Sequence, residues 1–227
     1  GVEALLRWGN PGAEDDDITN LLLHAERSPV IFKIENWTLA EGFRAAAAWK
    51  EAGLAGLRVS VNLSAREFLR ADLVRRVRRQ ITGAGLAPGD VGLEITETSR
   101  MFEFAAVADQ LERLSEMGIE MWLDDFGTGH SSLEWLIRLP VHGVKIPGAF
   151  VEKLFTEKRC PIIVGRVIDL AHDLGLEVIA EGVETAEQRD FLAARGCDII
   201  QGFLFYAALP AADLPAALAR TAEPARS

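Results

Sequence analysis

The sequence predicts an α/β fold of the (β/α)₈ barrel type, in which parallel strands alternate with helices. The first observation is a set of apolar segments typical of buried strands: Glu3–Trp8, Arg58–Leu63, Val91–Thr96, Glu120–Asp125, Gly143–Ile146, Glu177–Gly182 and Ile199–Phe205. The second is the length of 227 residues, which suits one barrel domain. Eight strands would close a barrel, so we expect the remaining strand either upstream of Gly1 or unrecognised in the sequence.

Helical patterns between the strands are the third observation: Ile18–Arg27, Trp37–Glu51, Arg66–Ala84, Phe104–Met117, Ser131–Arg138, Cys160–Leu174 and Ala186–Ala194. Five of the helical patterns are each followed by a glycine, the residue that most readily adopts the left-handed backbone conformation at the end of a helix. These are Gly53, Gly85, Gly118, Gly175 and Gly196. A doubly wound open sheet has the same alternation. It is less favoured here because no GxGxxG motif follows a strand.

The composition is that of a globular domain without a membrane span. Hydrophobic residues make up 49% and charged residues 26%, and no apolar run approaches the ~20 residues that a span needs. The net charge of −10 disfavours unaided binding of DNA, RNA or anionic membrane, although metal ions could bridge the protein to a phosphate-bearing substrate. The two cysteines lack CxxC spacing, so we expect them reduced in a cytoplasmic protein. We expect one domain over residues 1–220 and a disordered tail over residues 221–227.

Polar side chains interrupt the apolar strands: Glu3, Arg7, Asn62, Glu94, Asp124, Asp125, Lys145, Glu181 and Gln201. An ionised carboxylate inside a barrel is costly unless it is paired or bound to metal, so five carboxylates with one lysine indicate function. Barrel active sites gather at the C-terminal ends of the strands, where most of these residues lie. Oxygen ligands from Asp, Glu and Asn suit Mg²⁺ or Mn²⁺ better than zinc.

Two of these features have alternative interpretations. At a strand end, Asp124 and Asp125 could both turn toward one site, where a carboxylate could bridge two metals. Equally, one could cap a helix while the other is exposed. Lys145 could form a Schiff base, as in an aldolase-type barrel, although the nearby carboxylates would keep its amine protonated.

The motifs and their order resemble those of the EAL-domain family, bacterial domains that hydrolyse cyclic di-GMP. Glu3-Ala4-Leu5, with Leu6-Arg7-Trp8 after it, is similar to the signature that names the family. The resemblance continues through residues 61–64, 93–97, 124–129, 131–133, 144–146, 178–185 and 201–205. It implies a (β/α)₈ barrel whose usual first strand is missing from this chain.

The resemblance also implies a two-metal mechanism that opens cyclic di-GMP to linear pGpG with Mg²⁺ or Mn²⁺. The implied metal-binding residues are Glu3, Asn62, Glu94, Asp124, Asp125 and Glu181, with Asp124 shared between the ions. The implied catalytic residues are Lys145, which contacts the attacking water, Glu181 and Glu97. The implied substrate contacts are Leu5, Arg7, Glu184 and Gln201, with Arg7 on a phosphate.

The family also implies partners and one point of departure. A homodimer through the loop near residues 126–132 is implied, as are sensory or cyclase domains outside this chain. The family usually has Asp two residues after the lysine, where this chain has Pro147 followed by Gly148. Because proline cannot bind a metal, we expect the second metal site to have reduced occupancy. The alternative function is therefore a catalytically impaired domain that acts as a cyclic di-GMP receptor or interaction module.

Overall fold

Seven strands alternate with helices in a computed structural model, which describes residues 1–7, 15–96, 104–128 and 133–221. Within these residues the strands are β1 Val2–Ala4, β2 Val59–Leu63, β3 Val91–Thr96, β4 Glu120–Asp124, β5 Gly143–Ile146, β6 Glu177–Ala180 and β7 Ile199–Ile200. They follow chain order in one sheet. The recorded pairings, β1 with β2 and β4 through β7, are all parallel. The predicted α/β class is therefore confirmed.

The helices in the same ranges are α1 Asp15–Ala25, α2 Val30–Glu51, α3 Leu73–Gly83, α4 Phe104–Glu116, α5 Leu133–Arg138, α6 Gly148–Glu152, α7 Cys160–Asp173, α8 Ala186–Ala194 and α9 Leu214–Thr221. Short 3₁₀ turns cover Glu67–Leu69 and Pro88–Asp90. The five glycines predicted to end helices all have positive φ, from 70° to 90°. Lacking a Cβ, glycine adopts this conformation without the clash that other residues meet.

Several predicted boundaries were wrong for identifiable local reasons. The predicted helix Arg66–Ala84 is interrupted, because Arg70 adopts an extended ψ of 119° between the 3₁₀ turn and α3. The helix predicted from Trp37 begins at Val30, directly after Pro29 with its helix-compatible φ of −64°. Strand β7 ends at Ile200 rather than Phe205, since the chain turns there and Phe205 N–H donates to Gly202 O at 3.0 Å.

The ends of the chain also differ from prediction. Strand β1 stops at Ala4, Leu5 to Arg7 are irregular, and Trp8 lies outside the described residues. Helix α9 includes Thr221, the first residue of the predicted tail, and residues 222–227 lie outside the described ranges. A single domain over residues 1–220 stays a prediction. No helix in the described parts of the chain combines the length and apolar character that a membrane crossing requires.

The chain divides into two compact units, and the first comprises residues 1–62, 75–92 and 208–227. In this unit α2 buries Leu39, Phe43 and Trp49. Gly42 allows α2 to approach β2 closely, because a Cβ there would lie 3.0 Å from Cγ2 of Val61. The Trp49 indole N–H donates to the carbonyl of Ala211 at 2.8 Å, which attaches the C-terminal segment to α2.

The second unit comprises residues 63–74 and 93–207 and contains strands β4 to β7. All four residues of β5 are buried, as are the last four of β4. Val144 pairs with Leu123 on one side and Val178 on the other, which fixes the register of three strands. Their C-terminal ends therefore lie along one edge of the sheet, where the polar side chains of the next section are found.

Candidate functional site

A buried ion-pair cluster lies around Lys145, the third residue of β5. Its Nζ lies 2.6 Å from Glu181 Oε1 and 3.4 Å from Asp124 Oδ1, and it donates a short hydrogen bond to Glu94 Oε2. Lys145 is 1% exposed and Glu94 is 2% exposed. The three carboxylates come from β3, the end of β4 and the residue after β6, so sheet register brings them to one lysine. The structure therefore brings four of the predicted site residues together, and their metal-binding and catalytic roles stay predictions.

The ion pairs of this cluster are largely shielded from water, with exposed side-chain fractions of 1% for Lys145, 2% for Glu94, 12% for Asp124 and 21% for Glu181. Charges removed from water need partners, and here three carboxylates share one ammonium. The ammonium of Lys145 donates to carboxylates, whereas a Schiff-base nucleophile needs a neutral amine with a free lone pair. The geometry therefore favours acid–base or metal-assisted chemistry over an aldolase-type reaction.

Asp124 and Asp125 have different environments. Asp124 is 8% exposed and its Oδ1 accepts the backbone N–H of Asp125 at 2.9 Å. Asp125 is exposed and has a φ of 55°, and among the described residues no other non-glycine residue has a positive φ. That left-handed turn costs energy for a residue with a Cβ, although Asp tolerates it better than most. Asp124 thus joins the Lys145 cluster, while a metal-binding role for Asp125 stays a prediction.

Glu3 and Asn62 form a second polar pair, in the first unit. The Asn62 side-chain amide donates to Glu3 Oε1 at 2.6 Å across the paired strands β1 and β2. The other amide atom, Oδ1, is buried and accepts no hydrogen bond from any described residue. A buried acceptor without a donor is costly, which is a reason to expect a ligand there. An amide oxygen beside a carboxylate is a donor set that fits Mg²⁺ or Mn²⁺.

The metal prediction thus has one supporting observation and one against. No group of three or more His, Cys, Asp or Glu side chains is arranged as a metal cluster in the part of the chain that the structure describes. Around β5 the reason is visible, because the Lys145 ammonium lies among the carboxylates. The unsatisfied Asn62 Oδ1 fits the hard cation that the sequence predicts.

The predicted substrate contacts lie at more open positions. Leu5 is 47% exposed and Arg7 is exposed, with its guanidinium donating to Leu6 O at 3.0 Å. Glu184 is exposed, and its backbone N–H donates to Gln188 Oε1 at 2.8 Å, at the capped start of α8. Gln201 is half-buried and its carbonyl accepts from Val183 N–H at 3.0 Å. Their substrate roles stay predictions, and Glu97 and residues 129–132 lie outside the described ranges.

Sequence reasoning missed a glycine contact beside the cluster. Gly148 follows Pro147 at the start of α6, and its backbone touches that of Gly182, directly after Glu181. In the sequence, Gly148 reads only as part of a segment that lacks a carboxylate. The two glycines are far apart along the chain, so no local pattern could have paired them.

The two cysteines are free thiols, as the sequence predicted. Burial raises the pKa of Cys197 from its usual 9.0 to about 11. Its thiol lies 3.3 Å from the carbonyl of Ile199 and 3.5 Å from that of Val178. Burial also raises the pKa of Cys160. A raised pKa suppresses the nucleophilic thiolate, so neither cysteine is a candidate nucleophile.

We expect native Cys197 to react with iodoacetamide at pH 8 about 100-fold more slowly than in denaturant, because a two-unit rise in pKa lowers the thiolate fraction by that factor. Mass spectrometry of the alkylated peptide measures the rate. The peptide containing Cys160 is the internal comparison, because burial raises the pKa of that thiol as well. Equal rates for Cys197 in native and denatured protein would contradict the burial of its thiol.

The protein-family model of the EAL domain matches residues 1–208 of the sequence. The bifunctional diguanylate cyclase/cyclic di-GMP phosphodiesterase MucR of Pseudomonas aeruginosa is 40% identical over 219 residues, covering 96% of this chain and 32% of that protein. The cyclic di-GMP phosphodiesterase NbdA of the same organism is 38% identical over 213 residues, covering 94% of this chain and 27% of that protein. A solved c-di-GMP complex of the MucR phosphodiesterase matches with a TM-score of 0.86 at 40% identity, covering 94% of this chain and 87% of that one.

This chain belongs to the EAL-domain family, as its ordered motifs predicted, and it has the α/β fold of that family. It spans about a quarter to a third of the length of the curated relatives it matches. These longer relatives contain regions that this chain does not match. The comparisons therefore establish similarity at the level of one domain.

Proposed function

We propose that this chain is a metal-dependent phosphodiesterase that hydrolyses cyclic di-GMP to linear pGpG. The observation that carries the proposal is the burial of Lys145 among Glu94, Asp124 and Glu181. Such a cluster at the C-terminal ends of parallel strands is where barrel enzymes place their chemistry. The similarity to MucR and NbdA, both described as cyclic di-GMP phosphodiesterases, supports the substrate.

We assign the metal sites from the resemblance and from the donor chemistry of the side chains. Glu3, Asn62, Glu94 and Asp124 would hold one Mg²⁺ or Mn²⁺, and Asp124 with Asp125 would hold a second, with Glu181 in the surrounding network. The unsatisfied Asn62 Oδ1 supports the first site. When bound, the ions would supply positive charge that offsets the phosphoryl oxygens and makes the attacking water more acidic.

The chain's own residues would bind and orient the reactants. Arg7 would bind a phosphate, and Leu5, Glu184 and Gln201 would contact the rest of the nucleotide. Lys145 would hold the attacking water, with Glu181 fixing the direction of its ammonium and Glu97 as a further catalytic residue. The water oxygen bonds to phosphorus, the phosphorus–O3′ bond breaks, and the ribose O3′ takes up a proton. The product keeps a 5′ phosphate, as pGpG requires.

The proposal is tested by incubating the protein with cyclic di-GMP and either Mg²⁺ or Mn²⁺ and separating the nucleotides by chromatography. We expect pGpG to accumulate and Glu3→Ala to lower the rate at least ~100-fold, since loss of partners outside the ligand shell already costs 10–100-fold. Glu41→Ala is the matched control, because Glu41 is an acidic residue of the same unit whose recorded partner is the exposed Arg44. Absence of pGpG with both metals would exclude the activity.

A second candidate function is a receptor that binds cyclic di-GMP without hydrolysing it. Pro147 favours this alternative, because it stands directly after β5 at the position where the family usually has Asp. Tight nucleotide binding in metal-free calorimetry, together with no turnover, would select the receptor. If Pro147→Asp then restored hydrolysis, the missing carboxylate would be the defect.

We also propose the wider setting that the family resemblance implies. The chain would act in the cytoplasm, with sensory or cyclase regions of a longer protein as partners. It would form a homodimer through the loop near residues 126–132, of which 129–132 lie outside the described ranges. Analytical ultracentrifugation of the chain with and without Mg²⁺ tests the dimer.

A further inference from the structure

The start of α6 and the loop after β6, which carries Glu181, are in backbone contact through a pair of glycines. A Cβ placed on Gly182 would lie 2.8 Å from Cα of Gly148, and one placed on Gly148 would lie 3.3 Å from Cα of Gly182. Both distances are shorter than ordinary van der Waals contact. Gly182 also has a φ of +65°, which glycine adopts without strain. The two segments can therefore approach this closely only because both positions lack a side chain.

The contact lies directly beyond the last residue pair of β5 and β6. Strands β5 and β6 pair Ile146 with Ala180, and the Glu181 N–H then donates to the Ile146 carbonyl at 3.0 Å. Glu181 precedes Gly182, and Lys145 lies three residues before Gly148. The 2.6 Å contact of Lys145 Nζ with Glu181 Oε1 therefore lies close along both segments to the contact of the two glycines.

Among the described residues, the three atoms nearest a methyl added at either glycine all belong to the backbone. The atoms nearest a Cβ on Gly148 are backbone atoms: Cα and N of Gly182 and, at 3.8 Å, the carbonyl oxygen of Glu181. Backbone atoms in a hydrogen-bonded loop move only with the residues attached to them. A side chain at position 148 must therefore shift the segment that carries the Glu181 carboxylate.

We propose that Gly148 and Gly182 are positioning residues that hold the Glu181 carboxylate against the Lys145 ammonium. The segment that lacks the family's carboxylate then has a function of its own. Pro147, at a φ of −60°, is the N-cap residue of α6, and Gly148 lets the start of α6 meet the loop after β6. The catalytic consequence rests on the proposed function, whereas the effect on the ion pair does not.

The ion pair is tested by thermal unfolding of the metal-free protein in a double-mutant cycle of Gly148→Ala and Glu181→Gln. If Gly148 acts through the ion pair, the Tm shift caused by Glu181→Gln should differ by ~2 °C or more between the wild-type and Gly148→Ala backgrounds. Gly83→Ala is the control background, because a Cβ there meets nothing within 4 Å. Equal shifts in all three backgrounds would overturn the proposal. So would a Gly148→Ala protein that does not fold, since the contact would then serve folding itself.

Kinetics give an independent readout of the same proposal. With cyclic di-GMP and Mn²⁺, Gly148→Ala should lower kcat ~10-fold or more and leave KM within ~2-fold, because misplacing a catalytic group affects the transition state more than binding. Gly83→Ala should leave both unchanged. A kcat equal to wild type would overturn the positioning role. An inactive wild type would instead contradict the proposed function, and the Tm cycle would then decide the present inference.

Discussion

The Lys145→Met protein should have a Tm roughly 6–20 °C below that of the wild type in the absence of metal. Methionine has a similar length but removes the ammonium that Glu94, Asp124 and Glu181 share. Removing one partner of a buried ion pair costs about 3–5 kcal/mol, because charge remains buried without compensation. For a chain of this size each kcal/mol corresponds to ~2–4 °C. Turnover should fall by roughly 100-fold or more with the loss of the water contact.

Lys153→Met is the matched control for this substitution. Lys153 is half-exposed and lies 3.7 Å from Glu157, so its loss should change Tm by about 1 °C or less. Adding Mg²⁺ or Mn²⁺ should recover part of the stability of Lys145→Met, because a cation would again compensate the carboxylates. A Tm for Lys145→Met equal to that of Lys153→Met would show that the cluster is not an energetic unit.

We expect the Asp124→Asn protein to fold normally and to lose about 100-fold or more of its turnover. Asparagine keeps an oxygen that can accept the Asp125 N–H, now bonded at 2.9 Å. It removes the negative charge that the proposed ions would share, and changes even in the surroundings of metal ligands cost 10–100-fold. A calorimetric Mn²⁺ titration measures the loss of metal affinity, and the rate of pGpG formation measures the loss of turnover.

Asp169→Asn gives the comparison for charge alone. Asp169 is exposed and pairs with Arg166 at 3.1 Å, so the same change of charge there should leave metal affinity and turnover unaltered. If Asp124→Asn retained wild-type Mn²⁺ affinity and rate, neither ion could depend on that carboxylate. The assignment of Asp124 as the shared ligand would then be wrong.

Much of this architecture was predictable because its causes are local or periodic. Apolar strands at regular intervals predicted the parallel sheet, and Gly53 and Gly196 marked helix ends where their positive φ is observed. The cluster was predictable for a related reason. A charged residue such as Lys145 in an otherwise apolar strand is conspicuous, and parallel strands bring their ends to one edge.

The features that the sequence did not predict depend on contacts between distant residues or on single backbone angles. Nothing in Gly148 or Gly182 alone predicts that their segments touch. The break at Arg70 depends on one extended ψ angle inside a helical pattern. Asp125 is next to Asp124 in the sequence, yet its left-handed conformation gives it an exposed position that spacing could not establish.

The hydrogen bond from Trp49 to Ala211 bears on where this domain can be cut. The family match ends at residue 208, but the Trp49 indole uses a carbonyl beyond that point. Ala217 of α9 is also buried, at 1% exposure. A chain truncated at residue 208 would lose the acceptor for the buried indole N–H and the apolar contacts of α9. The packed part of the chain therefore extends beyond residue 208, where the family match ends, and excision for study should retain α9.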